Sequence, residues 1–240
     1  MRLSVLLSAL LLTAPLTYAQ TVDEIVAKNL EAKGGVEILK NTTTVRTEAK
    51  GTVQGAEVTI TTLSKRPHFV RNEMQRIGPA GTPQKNIMGF DGTTMWVAMG
   101  GTPAQALPQG PQTESFKQTS QIDSPLLDYK SKGTTIELAP GVTEGGRKLH
   151  RLVVRPVTGP ALHYYIDAVT NLESKMIIEA EENGQKMTME MRFSDFRTVD
   201  GRTVPFTVTQ FMNGREAGTM KYTKIEFNAP LDDALFEMPK

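Results

Sequence analysis

The chain has 240 residues, 39% of them hydrophobic, with 27 basic and 26 acidic side chains and no cysteine. The near-neutral balance argues against nucleic acid, which asks for a basic face, and against strong attraction to anionic headgroups. Without cysteine there are no disulfides and no thiolate metal sites, so the fold rests on its core alone.

Residues 1–19 read as a secretion signal: Arg2 opens it, an apolar run follows that is too short to span a bilayer, and Thr17-Tyr18-Ala19 forms a small-residue cleavage site. The cut is expected before Gln20, and with no cysteine there the product is not an acylated lipoprotein. Loss of Arg2 leaves basic and acidic residues equal in number. No later segment approaches the ~20 apolar residues of a transmembrane helix. The expectation is an exported, soluble chain with one domain over 20–240.

Thr21-Val22-Asp23-Glu24 is a capping box, in which the Thr hydroxyl and the Glu carboxylate each satisfy an open helix N–H. Val22, Ile25, Val26 and Leu30 then share one helical face, and Gly34-Gly35 stops the helix. From Thr43 strands dominate, with runs over 44–53, 57–64, 68–77, 84–90 and 93–99. Pro67 has no N–H and suits a strand start or an edge. Asp91-Gly92 marks a hairpin. Residues 100–112, rich in Gly, Pro and Gln, read as a mobile loop. The 113–132 segment reads as helical, with Leu126 and Leu127 among its apolar positions and a break at Pro125. Seven further strand runs follow, and Asp167 to Asn171, Asn183-Gly184, Asp200-Gly201 and Asn213-Gly214 are their turns.

About eleven strands with few helices predict a mainly β (α+β) fold: a strongly curved antiparallel sheet or incomplete β-barrel, covered by short lid helices from the N-terminus and from 113–132.

Little points to catalysis. His68, His150 and His163 have no ligand spacing, and no G-x-S-x-G or phosphate loop is present. Glu181-Glu182 and Asp232-Asp233 are adjacent carboxylates, which on a strand face opposite ways. The pattern that stands out is apolar. Met187, Met189, Met191 and Phe193 take every second place of one strand, and Met95, Val97 and Met99 repeat the idea. Methionine is flexible and polarizable, so it suits either an ordinary core or a cavity accepting varied apolar shapes. Met95 and Trp96 fall on opposite faces of one strand. Arg66 is either a solvated rim residue or a donor to carbonyls at a helix end.

Three signals in order, Lys65-Arg66-Pro67, then Asp91-Gly92 with Trp96, then Phe236-Glu237-Met238-Pro239, resemble the LolA family of periplasmic outer-membrane lipoprotein carriers, and most closely its longer, divergent superfamily members. The resemblance implies an incomplete barrel with a helical lid over an acyl-chain cavity, and a periplasmic location. It also implies cargo taken from an inner-membrane ABC transporter and passed to an outer-membrane acceptor, with no enzyme activity and no cofactor. The partner is then acylated lipoprotein or lipid, and the protein a monomer. Arg66 occupies the position of the arginine that latches the lid. The residues expected at the cavity or latch are Arg66, Met95, Trp96, Leu126, Leu127, Met187, Met189, Met191 and Phe193. The long 100–112 loop and the methionine-rich apolar set depart from the family pattern. A lipid- or envelope-stress-sensing module on the same fold is the alternative, and a hydrolase or isomerase would need a polar dyad that the sequence does not display.

Overall fold

A computed structural model describes residues 20–78, 81–110, 113, 116, 120–182 and 185–239. The expected secretion signal, the Asn183-Gly184 turn and most of 111–119 lie outside the described residues.

Two short helices come first, α1 (Val22–Ala32) and α2 (Val36–Lys40). The capping box forms: the Thr21 N–H donates to Glu24 Oε2 at 2.9 Å and the Glu24 N–H to Thr21 Oγ1 at 3.3 Å. Among the described residues thirteen strands follow: β1 (Thr44–Val53), β2 (Ala56–Lys65), β3 (Phe69–Ile77), β4 (Pro83–Asp91), β5 (Met95–Met99), β6 (Gln105–Ala106), β7 (Thr135–Glu144), β8 (Arg147–Arg155), β9 (Leu162–Asp167), β10 (Glu173–Glu182), β11 (Gln185–Val199), β12 (Arg202–Met212) and β13 (Arg215–Phe227). A 3₁₀ turn, Asp233–Leu235, sits in the C-terminal tail.

All thirteen join one sheet in the order β6-β5-β4-β3-β2-β1-β13-β12-β11-β10-β9-β8-β7. Two antiparallel meanders run outward from a central β1–β13 pair. This corrects the expected strongly curved sheet or incomplete barrel of about eleven strands: the sheet is open, ending at β6 and β7, and no pairing among the described residues joins its edges. Hairpin signals report which strands are neighbours. Closure depends on shear and tilt summed over the whole sheet, which alternation in one strand does not encode.

Two smaller differences have local causes. Pro67 starts no strand; Arg66, Pro67 and His68 form the turn between β2 and β3, with the Arg66–Pro67 peptide cis. From Pro125 to Gly133 the chain runs as successive turns instead of a helix. Asp128, at φ 54°, and Gly133, at φ 70°, lie in the left-handed region and break helical propagation. The expected loop over 100–112 contributes the two-residue β6, paired to Trp96 and Val97.

The main core lies on one face of the sheet. Ile25, Val26 and Leu30 of α1 pack with Leu126 and Leu127 on Leu152, Val154, Tyr164 and Ile166. Each such side chain, fully buried, is worth about 1.5–3 kcal/mol. Polar links fasten the helix down: the fully buried Asn29 donates to the Asn171 carbonyl at 2.8 Å, and Lys33 pairs with Glu173 at 2.7 Å.

Candidate functional site

Strand register decides which predicted residues meet. Met191 faces Met176, which faces Tyr164, which faces Leu152. One row over, Met189 faces Ile178, then Leu162, then Val154. Side chains in direct register share a face, so the β11 row, Met187, Met189, Met191 and Phe193, continues the α1 core sideways. Those four are only half-buried, while Tyr164, Leu152 and Val154 are buried. Phe193 continues through Val208 to Met220. On the other meander Met95 reaches the same face through Phe90, Val70, Ser64 and Val45 to Phe227.

On this face, beneath α2 and residues 122–127, lies a cavity of about 280 Å³. Its floor includes Val45, Tyr222, Ile225 and Phe227, and Leu39, Ile122 and Leu127 cover it. Burial pushes the Tyr222 phenol above its usual range. Leu126, by contrast, belongs to the α1 core.

Arg66 holds this cover. Its Nε donates to the Thr42 carbonyl at 2.6 Å, its Nη2 to the Leu39 carbonyl at 3.4 Å, and its Nη1 to Asp123 Oδ2 at 2.9 Å. Nη2 also donates to Asp123 Oδ1, making the pair bidentate. Leu39, Thr42 and Asp123 all line the cavity, so the clamp joins two parts of its wall. Burial raises the Asp123 carboxyl, but Arg66 and Lys132 outweigh it and hold the group below the usual range. Arg202, buried, grips the same helix end from the other side. It donates to Thr42 Oγ1 at 2.7 Å and to the Ile38 carbonyl at 3.0 Å, and stacks over Phe227 at 4.6 Å. Two cations thus serve the carbonyl end of α2, where the helix dipole favours them. Further pairs, Lys40 with Asp128 at 2.7 Å and Lys130 with Asp23 at 2.6 Å, tie the 123–133 segment to both helices.

Trp96 lies on the opposite face, fully buried, and its Nε1 donates to the Phe236 carbonyl at 2.9 Å. Phe236, itself fully buried, packs on Phe69 at 5.5 Å, while Arg71 stacks over the indole at 5.6 Å and donates to the Leu235 carbonyl at 2.8 Å. Trp96 therefore anchors the C-terminal tail and stands away from the methionine face. Gly89, its register partner, makes room: a Cβ there would sit 2.1 Å from the ring.

A larger open groove of about 870 Å³ crosses β1–β4 and β13. Its lining mixes charged and hydroxyl side chains, among them Lys50, Glu57, Thr59 and Lys221, with the apolar Val58, Ile77 and Pro83.

Asp123, Arg202 and Tyr222 were not singled out by the sequence as site residues. Asp123 had no local mark, because its partner is 57 positions away. Tyr222 alternates with Met220, a repeat of the period-two pattern that the sequence shows at Met187, Met189 and Met191, though that pattern alone did not place it at a cavity. Burial first, then Lys28, lowers the His150 pKa, and burial likewise lowers that of His163. Among the described residues no three His, Asp or Glu side chains converge to hold a metal, and no helix is long and apolar enough to cross a membrane.

Neither protein-family models nor curated proteins match the chain in sequence. Solved structures do match in fold. A DUF1329 family protein from Desulfovibrio piger superposes with a TM-score of 0.59 at 13% identity, over 90% of this chain and 97% of that one. A domain assigned to outer-membrane lipoprotein sorting, from Vibrio parahaemolyticus, gives 0.58 at 10% identity, over 89% and 94%. A LolA superfamily protein from Nitrosomonas europaea gives 0.56 at 14% identity, over 91% and 98%. In fold, the chain is therefore similar to these LolA-superfamily, DUF1329 and lipoprotein-sorting proteins.

Proposed function

We propose that the chain is a non-catalytic periplasmic carrier that binds acyl chains of lipoproteins or related lipids and delivers them toward the outer membrane. The observation that carries this reading is the continuity of one apolar face. It runs from the α1 core through Met176 and Ile178 to the half-exposed Met189 and Met191, and through Val208 and Met220 toward Tyr222 at the cavity. Thioethers adapt to varied chain shapes, and each methylene buried supplies about 0.8 kcal/mol. Cargo held that strongly needs a counterweight for release. The Arg66–Asp123 clamp supplies one, because entry of cargo larger than the cavity must part it and reclosure then favours expulsion. The inner-membrane ABC transporter and outer-membrane acceptor are proposed as partners from the likeness to lipoprotein-sorting folds.

The test is to purify the protein from its native periplasm and identify co-purifying lipid or lipopeptide by mass spectrometry. Acylated species in stoichiometric amount are expected; their absence sinks the reading. Arg66→Leu is expected to impair cargo release in a transfer assay while circular dichroism stays native. Transfer equal to wild type would remove the clamp from the mechanism.

A further inference from the structure

We propose that the methionine face is an oxidation site: peroxides convert Met187, Met189 and Met191 of β11, with Met212 beside them, to sulfoxides, and this withdraws the face from apolar cargo while the fold stands. The loss of cargo rests on the carrier reading; the oxidation itself does not.

The partition of the methionines carries the inference. The chain has twelve. Met1 lies in the expected secretion signal and Met238 in the tail; the other ten share one face of the sheet. Met189 faces Met212, Met191 faces Met176, and Met187 takes the next place of the same row. Met220 joins them through Val208 and Phe193. On the other meander Met95 alternates with Met99, and Met88 and Met74 stand an even number of places from Phe90 and Val70, which lie on that face. None of the ten is buried: Met99 is 58% and Met212 37% exposed, and the rest are half-buried. The buried members of the α1 core are isoleucine, valine, leucine and tyrosine. Methionine commonly fills gaps in cores, and core filling does not account for a set that avoids the core and gathers where solvent reaches it.

Adaptability to cargo favours methionine over leucine here, and it brings a chemistry that leucine lacks. A thioether lone pair attacks one oxygen of a peroxide. The S–O bond forms, the O–O bond breaks, and the departing oxygen takes a proton and leaves, as water when the oxidant is hydrogen peroxide. Sulfur gives up two electrons and the peroxide gains them. The chain has no cysteine, so no thiol within it competes for the oxidant. Each sulfoxide sets a polar acceptor in a row whose neighbouring side chains, Ile178, Phe193 and Val208, offer no donor. A polar group covered without a partner is costly, so apolar cargo is disfavoured there. The buried core holds no thioether and is left intact. Sulfoxide reductases return the thioether, which makes the change reversible.

The experiment treats the purified protein with hydrogen peroxide for graded times. Peptide mass spectrometry maps the sulfoxides, the urea midpoint reads stability, and the neutral fluorophore N-phenyl-1-naphthylamine reads the apolar face. Met187, Met189, Met191 and Met212 are expected to oxidise in the folded protein. The fluorophore's affinity should fall about tenfold as they do, with the urea midpoint unchanged, and the stereospecific methionine sulfoxide reductases should restore it. A variant carrying Met187→Leu, Met189→Leu and Met191→Leu is compared with itself before and after peroxide. Whatever its starting affinity, it should lose far less than wild type. Four results overturn the inference and leave the carrier reading standing: no sulfoxide on the β11 row before unfolding, a midpoint that falls together with the affinity, a loss that reduction does not restore, and a variant as sensitive as wild type. If the variant binds too weakly to read, the wild-type time course decides: a loss that follows Met99 and Met238 and not the β11 row overturns the inference. Failure of the unoxidised wild type to bind the fluorophore overturns both.

Discussion

Arg66 touches the carbonyl end of α2, Thr42 two residues beyond that helix, and Asp123 of the covering segment. Asp123 is its only anionic partner among these, and its pKa is lowered in the fold despite burial. The contribution of the pair is therefore fully present above the ordinary value of 3.8 and is lost as pH falls through the lower folded value. Asp123→Asn should cost about 2 kcal/mol at neutral pH, and its melting temperature should fall less than that of wild type between pH 5 and pH 3. Parallel pH profiles of the two proteins would show that the carboxylate is not ionised in the clamp. Gly89 makes a different case, because its backbone lies under the Trp96 ring with no space for a methyl. Gly89→Ala should destabilise by about 1–3 kcal/mol through overpacking, read as a lower urea midpoint with unchanged slope. The arginine beside Pro67 was legible in the sequence, while the acid that pairs with it was not, because 57 residues separate them.

At the scale of elements, the helices, the covering segment and the tail divide the two faces of the sheet between them. The first helix was legible throughout, since Thr21 and Glu24 cap it and Ile25, Val26 and Leu30 fall on its buried face. The covering segment was legible as apolar but not in its conformation. Leu126 and Leu127 are buried whether the chain there is helix or turn, and it was the left-handed Asp128 that settled on turns. The tail carried a recognisable Phe236-Glu237-Met238-Pro239 signal, but nothing in that signal says where it docks. Its seat over Trp96 and Phe69 makes it part of the core of the second face. Phe236→Ala should accordingly cost about 3–5 kcal/mol, seen in urea unfolding. A loss below 1 kcal/mol would mean that the tail is dispensable to that face.

At the scale of the molecule, an open sheet of thirteen strands has two edges to protect. The β6 edge is two residues long. The β7 edge carries Pro140, a register shift between Ala139 and Val142, and exposed Glu137 and Glu144. Each feature opposes pairing with another chain. A combined Pro140→Val and Glu137→Val variant is expected to associate in sedimentation experiments at concentrations where wild type does not. Identical sedimentation of the two would show that these residues do not guard the edge.

By itself the sequence determined the strands, most of their turns, the capped first helix and the face on which the β11 methionines lie. Those are set by period-two alternation and by turn chemistry within a few residues, which a single chain displays openly. Only the tertiary structure decided that the sheet stays open, that Trp96 belongs to the tail and not to the methionine face, that Asp123 completes the Arg66 clamp, and that Tyr222 lines the cavity. Each of these depends on register summed across many strands or on partners far apart in the chain. Contacts of that kind are fixed when the whole sheet and its covering segments pack together, and no local run of residues records them.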